Sequence, residues 1–227
     1  MNSQVNKISS IEEFVSLYWN YYLTIEKEFL NTEYFLAIDS LNSTAYSVAY
    51  MKLLLEIGSE VDVVCKQLCD LLDCNFDVNN SNIYKYLSII DDNLHGFRHD
   101  EVLIKNEIIV PWLNLFEKFQ DKVQRETITW WDVYNGVKHH RNDNMSDDAK
   151  SYTLANQENV IHALAGLYQV ELYYLREIIK RNELNNQIIQ VNPIIGSTLF
   201  YLKRMAPFFE RQLYSEYDFD QIRIKMM

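Results

Sequence analysis

Between residues 130 and 144 the chain reads WWDVYNGVKHHRNDN. Two of its five histidines fall in this segment, beside two Trp, a Tyr, a Lys and an Arg. On a helix, Asn135 stands one turn from both Trp131 and His139. Trp131, Asn135, Lys138 and His139 then share one side, with Tyr134 beside them, and Trp130 and Val133 can face the core. An amide, an ammonium and an imidazole on one stripe could hold a phosphate or an RNA 2′-hydroxyl. A histidine titrates at about 6.5 when unperturbed, so His139 could serve as general acid or base. The same residues also have a structural use. Lys138, His140 and Arg141 fall in the last turn, where cations complement the helix dipole and cap carbonyls, and Asn135 can satisfy a neighbouring backbone group.

The elements that must position this segment are helical. Only 5 Gly and 3 Pro occur in 227 residues, too few for the frequent turns of an all-β chain and suited to long helices. Phe14, Leu17, Tyr18, Tyr21, Ile25 and Phe29 predict a helix over 11–30, opened by a capping box of Ser10 and Glu13. Tyr46, Tyr50, Leu53, Leu54, Ile57, Val61, Val64, Leu68 and Leu71 predict a second over 44–72. Gly58 weakens that helix by about 1 kcal/mol relative to Ala, so a close neighbour is expected there. A loop follows at 74–82 and a short helix at 83–92. The β-branched run VLIKNEIIV, 102–110, predicts a strand or short hairpin. Pro111 opens another helix, and the segment above forms one over 129–141. Val160, Leu164, Leu167, Tyr168, Leu172, Leu175 and Ile179 predict a long helix over 157–181. The expected architecture is an all-α bundle in a single domain, 1–227. Its core spans about 10–181, with one short β hairpin and a C-terminal extension, 182–227, that carries a short helix near 197–204.

A net charge of −11 excludes strong generic attraction to nucleic acid, since phosphate binding needs clustered cations. A local basic patch remains compatible with RNA. No signal peptide or membrane span is expected. Cys65, Cys69 and Cys74 are odd in number and lack CxxC spacing, which fits buried free thiols in a reducing cytoplasm. No metal-ligand spacing and no cofactor motif are found. His95, Arg98 and His99 form a second basic group. His162, inside the apolar period of the last long helix, is expected as a hydrogen-bonded core histidine.

The WWDVYNGVKHHR segment resembles the W–x–x–YN–x–x–KHxR stretch of HEPN-like bacterial proteins. The stretches AYSVAYMKLLLEIGSEVDVVCKQLC, 45–69, and ANQENVIHALAGLYQVELYYL, 155–175, are similar to the same families, in the same order. The resemblance implies a helical bundle, often dimeric, with an RNA-directed role in phage defence, toxin–antitoxin or stress systems, in many members as a metal-independent ribonuclease. The family signature is an Arg, a polar residue, and a His a few residues further on. Asn135 and His139 match the latter two, whereas Tyr134 stands at the Arg position and Arg141 follows the His. The catalytic set implied is therefore His139, Lys138, Asn135 and Arg141, with Trp131, Tyr134, His140 and Glu60 as binding residues. Glu60 or Asp62 supplies the acidic group that accompanies the His in many members. The rival expectation is a non-catalytic helical interaction or dimerisation module.

Overall fold

The computed structural model describes residues 11–120, 127–146, 149–184, 194–205 and 213–214. These residues are mostly helical. α1 (Ile11–Phe14) runs through a π turn (Val15–Trp19) into α2 (Asn20–Asn31). α3 (Val48–Leu72) and α7 (Gln157–Leu184) share the most extensive helix–helix interface. Around them lie α4 (Ile83–Asn93), α5 (Leu113–Phe119) and α6 (Trp130–His139). Ser10, expected to cap the first helix, lies outside the described residues.

Two of the predicted periods hold. Along α3, Tyr50, Leu53, Leu54, Ile57, Val61, Val64 and Leu68 are buried, and along α7 so are Val160, Leu164, Leu167, Leu172, Leu175 and Ile179, whereas Tyr46, expected on the first of these faces, precedes the helix and is exposed, and Leu71 is only half-buried. The helix starts later than the pattern predicts because the Ser47 hydroxyl accepts the Tyr50 backbone N–H at 3.0 Å and caps it at Val48. The first helix departs from expectation. Leu17 is 58% exposed and Tyr21 39% exposed, while Trp19 and Tyr22 are fully buried. The π turn is the cause. It accommodates one extra residue and shifts the helical register, so that Phe14 and Trp19, five apart, stack at 6.4 Å in the core.

β1 (Val102–Ile104) and β2 (Glu107–Ile109) form the expected antiparallel hairpin. It is extended on its other side by β6 (Phe200–Leu202), giving the order β2-β1-β6. The short helix expected near 197–204 is replaced by this strand and a 3-10 turn, Lys203–Met205. The Ser197 hydroxyl accepts the backbone N–H groups of Leu199 (3.2 Å) and Phe200 (2.9 Å), a local bend. Beyond it Phe200 and Leu202 point into the core while Tyr201 points out. Two small pairings add to the β content. β3 (Asn144–Ser146) runs antiparallel to β4 (Ala149–Lys150), and β5 (Ile194–Ile195) pairs in parallel with β7 (Leu213–Tyr214). Strand structure thus exceeds the single hairpin expected. Cys65 and Cys69 are buried free thiols, whereas Cys74 is exposed. No described helix is long and apolar enough to cross a membrane.

Candidate functional site

α6 is fixed at its start by a capping box. The Thr129 hydroxyl accepts the Asp132 backbone N–H at 3.3 Å, and the Asp132 carboxylate accepts the Thr129 backbone N–H at 2.8 Å. Lys118 adds an ion pair to Asp132 at 2.9 Å. Trp130 anchors the helix inward, donating its indole N–H to the Pro111 carbonyl at 2.8 Å. Gly136 lets the β3–β4 hairpin approach. A methyl group there would lie 2.7 Å from the Met145 sulfur and 2.9 Å from the Ser151 hydroxyl.

The stripe predicted to act together divides at the surface. Trp131 and Tyr134 are only 8% and 3% exposed, so they belong to the core and not to an open face. Asn135 is half-buried, and its amide donates to the Trp131 carbonyl at 3.0 Å. Arg141 is exposed and donates from Nε to the Val137 carbonyl at 3.4 Å, capping the helix end. Lys138, His139 and His140 are also exposed. Lys138 reaches back to its own helix, with Nζ 3.0 Å from the Tyr134 hydroxyl and 5.2 Å from the Tyr134 ring centre. His140 lies 3.3 Å from Asp143 through Nδ1, with both side chains well exposed. The end of α6 therefore presents Lys138, His139, His140 and Arg141 to solvent as one contiguous group.

Tyr134, at the position where the resemblance implies an arginine, fills the notch at Gly58. A Cβ at Gly58 would meet Tyr134 ring carbons at 2.3, 2.5 and 2.6 Å. The close neighbour anticipated for Gly58 is this ring. Ala would gain about 1 kcal/mol in helix propensity, but overpacking a buried contact costs about 1–3 kcal/mol. Gly58→Ala is therefore expected to be net destabilising by about 1 kcal/mol, read as a lower urea midpoint. An unchanged or raised midpoint would show that the α3–α6 seam is loose.

Glu60 does not join this site. Residues 58 and 60 project about 200° apart on a helix, so with Gly58 against α6, Glu60 faces the π turn and α7. Asp62 is also committed elsewhere. It accepts the Tyr86 hydroxyl at 2.8 Å and pairs with Lys66. In the second basic group, Arg98 pairs with Asp91 at 3.0 Å and lies over the Phe116 ring.

A different polar assembly occupies the core. Glu171 on α7 is fully buried, and neither carboxyl oxygen has a hydrogen-bond partner among the described residues. Burial, and then the charge of Glu60, hold its pKa well above the usual carboxylate range. Burial and the charge of Glu56 push Glu60 up to about 7. Tyr18, inside the π turn, is pushed up to about 12 by burial and by both of these acids. Glu171 was not singled out in the sequence, yet the signal is present, because it falls on the register of Leu164, Leu167 and Leu175. Among the described residues no group of three His, Cys, Asp or Glu is placed to hold a metal ion.

A scan against protein-family models, a search of curated proteins and a search of solved structures each found no match to this chain.

Proposed function

We propose that the protein is an RNA-directed helical module of HEPN-like type that contacts RNA phosphates through the end of α6. One observation carries this reading. Lys138, His139, His140 and Arg141 are exposed side by side, a local concentration of cationic and protonatable groups in a chain of net charge −11. Contact to single-stranded RNA needs only such a patch and accessible backbone. Binding is favoured over cleavage, since of the family's polar and His positions only His139 faces solvent fully. Asn135 is held by Trp131, and Tyr134 is a core wedge. A second reading has its own support. Tyr34, Phe35 and Leu41 are 86%, 92% and 92% exposed, which suits a protein–protein contact such as a homodimer in a defence or stress system.

Fluorescence anisotropy with labelled single-stranded RNA across a salt series separates the two. Lys138→Ala is expected to weaken binding and to flatten the dependence of log affinity on log salt by about 0.7. His139→Ala is expected to leave affinity nearly intact, and to reduce any cleavage by about 10²–10⁴-fold. Absence of RNA binding at low salt would overturn the RNA reading and leave the interaction module.

A further inference from the structure

A cleft of about 410 Å³ opens on a different part of the molecule, between the 38–43 segment, the β1–β2 hairpin and the first turns of α7. Its walls are held in place by polar contacts. Gln157, 1% exposed, accepts the Asp39 backbone N–H at 3.1 Å, and its amide donates to the Ala37 carbonyl at 2.9 Å and to the Tyr50 hydroxyl at 3.0 Å. On the opposite side Lys105 turns the hairpin with φ at 51°, in the left-handed region that a side chain disfavours. Its ammonium reaches across to Glu33 at 2.8 Å and to the Ile38 carbonyl at 3.0 Å, tying the hairpin tip to the 38–43 segment. The cleft is thus preformed, and its volume lies within the roughly 300–1,000 Å³ of small-molecule sites.

The lining decides the class of ligand. Ile38, Ile104, Ile109 and Ile161 supply an apolar surface. The charged groups facing the space are Asp39, Glu107, Glu158 and Lys105. Three carboxylates stand against one ammonium, and that ammonium is already paired with Glu33. The backbone N–H groups of Gln157 and Glu158, at the α7 N-terminus, are taken by the Ala45 and Ser43 carbonyls. That removes the donors an anion would use. His162 lines the same cleft, half-buried, with no side-chain hydrogen bond among the described residues. It is therefore not the hydrogen-bonded core histidine expected from its position. Burial lowers its pKa, so it stands neutral at pH 7 and able both to donate and to accept.

We propose that this cleft binds a small organic amine with an apolar body. The ammonium is met by the lining carboxylates Glu107 and Glu158, the apolar body lies on the isoleucines, and His162 meets a polar substituent. The site is separate from the α6 surface and stands or falls independently of the RNA reading.

Isothermal titration at fixed ionic strength with three probes of one shape tests it: 2-phenylethylamine, 2-phenylethanol and 3-phenylpropionate. The amine is expected to bind roughly tenfold or more tightly than the alcohol, as charge-assisted hydrogen bonds dictate, and the carboxylate most weakly. Glu107→Gln combined with Glu158→Gln is expected to erase the advantage of the amine while leaving the alcohol unchanged. Both positions are exposed, so this variant is expected to fold. Ser40→Trp, also at an exposed lining position, is expected to fill the cleft and abolish binding of all three. Equal affinity for amine and carboxylate, no saturable binding of the amine, or amine binding that survives Ser40→Trp would each overturn the proposal.

Discussion

Glu171→Met is expected to make the protein more stable at pH 7. A buried polar group without a partner costs about 1–3 kcal/mol, and neither oxygen of Glu171 has one among the described residues. Methionine has similar length and adapts to the space left by the carboxyl. The expected gain of about 1–3 kcal/mol corresponds to roughly 2–4 °C in melting temperature per kcal/mol for a chain of this size. The pH dependence follows from the same assembly. Glu60 has an ordinary value of 4.5 and is held at about 7 in the fold. Below 4.5 both folded and unfolded chains carry the proton and nothing is lost. Between 4.5 and 7 the unfolded chain releases the proton while the folded one retains it, so stability falls as pH rises through this window. Glu171, also held well above its ordinary value by burial and by the charge of Glu60, adds a fall of the same sign as pH rises. Urea midpoints measured from pH 4.5 to 8 check both statements. Glu60→Gln should flatten the lower part of the profile. Loss of stability in Glu171→Met would show that the carboxyl has a structural partner and sink the argument.

Glu26→Ala should have the largest destabilising effect. Glu26 is also buried, but its carboxyl is fully engaged. Oε1 accepts the Thr198 backbone N–H at 2.9 Å and the Thr198 hydroxyl at 3.0 Å, while Oε2 accepts the hydroxyls of Tyr22 and Ser197. Truncation leaves these four donors without their acceptor. Hydrogen bonds to a charged group are worth about 1.5–3 kcal/mol each, and a shared network loses less than their sum, so a total of about 3–5 kcal/mol is expected. Trp19 reports the event, because its indole N–H donates to the Ile195 carbonyl at 2.6 Å. Its fluorescence should shift red at lower urea than the circular dichroism of the long helices. Glu26→Gln keeps one acceptor oxygen and should recover part of the loss. A Glu26→Ala midpoint equal to the wild type would rule this network out as a fastening.

The contrast between these two acids shows what a sequence carries. The apolar periods of α3 and α7 are legible because helix–helix burial imposes the 3.6-residue spacing directly on residue type. Gly58 was legible as a close approach because a glycine inside a helix costs propensity and calls for a packing reason, although the Tyr134 ring that fills it was not. The π turn was not legible, since one extra residue in a helix leaves no mark in composition and simply moves the buried face from Leu17 and Tyr21 to Trp19 and Tyr22. β6 was missed because its pairing with β1 is long-range and three residues give too short an alternation to read. At α6, sequence identified the exposed polar group Lys138, His139, His140 and Arg141. It placed Trp131 and Tyr134 on the open stripe, whereas both are buried, Tyr134 against Gly58 of α3 and Trp131 against the Trp130 and Tyr134 rings. Glu26 and Glu171 are indistinguishable in sequence, each an acid on an apolar register. Only the fold decides that one meets four donors and the other none.

The stitch between Glu26 and the 197–198 bend also sets a clock on synthesis. The two ends of the Glu26–Thr198 bond are separated by 172 residues. At roughly 5–20 residues per second, a nascent chain waits on the order of 10–30 s between making the first partner and making the second. During that interval α2 emerges with an acid on its inner face and no donors from the 197–198 bend to receive it, while β1 can pair only with β2 and leaves its other edge open. α2, made early, receives its side-chain fastening to the 197–198 bend only late in synthesis. A released chain truncated before residue 197 should protect the amides of α3 and α7 from exchange more strongly than those of α2.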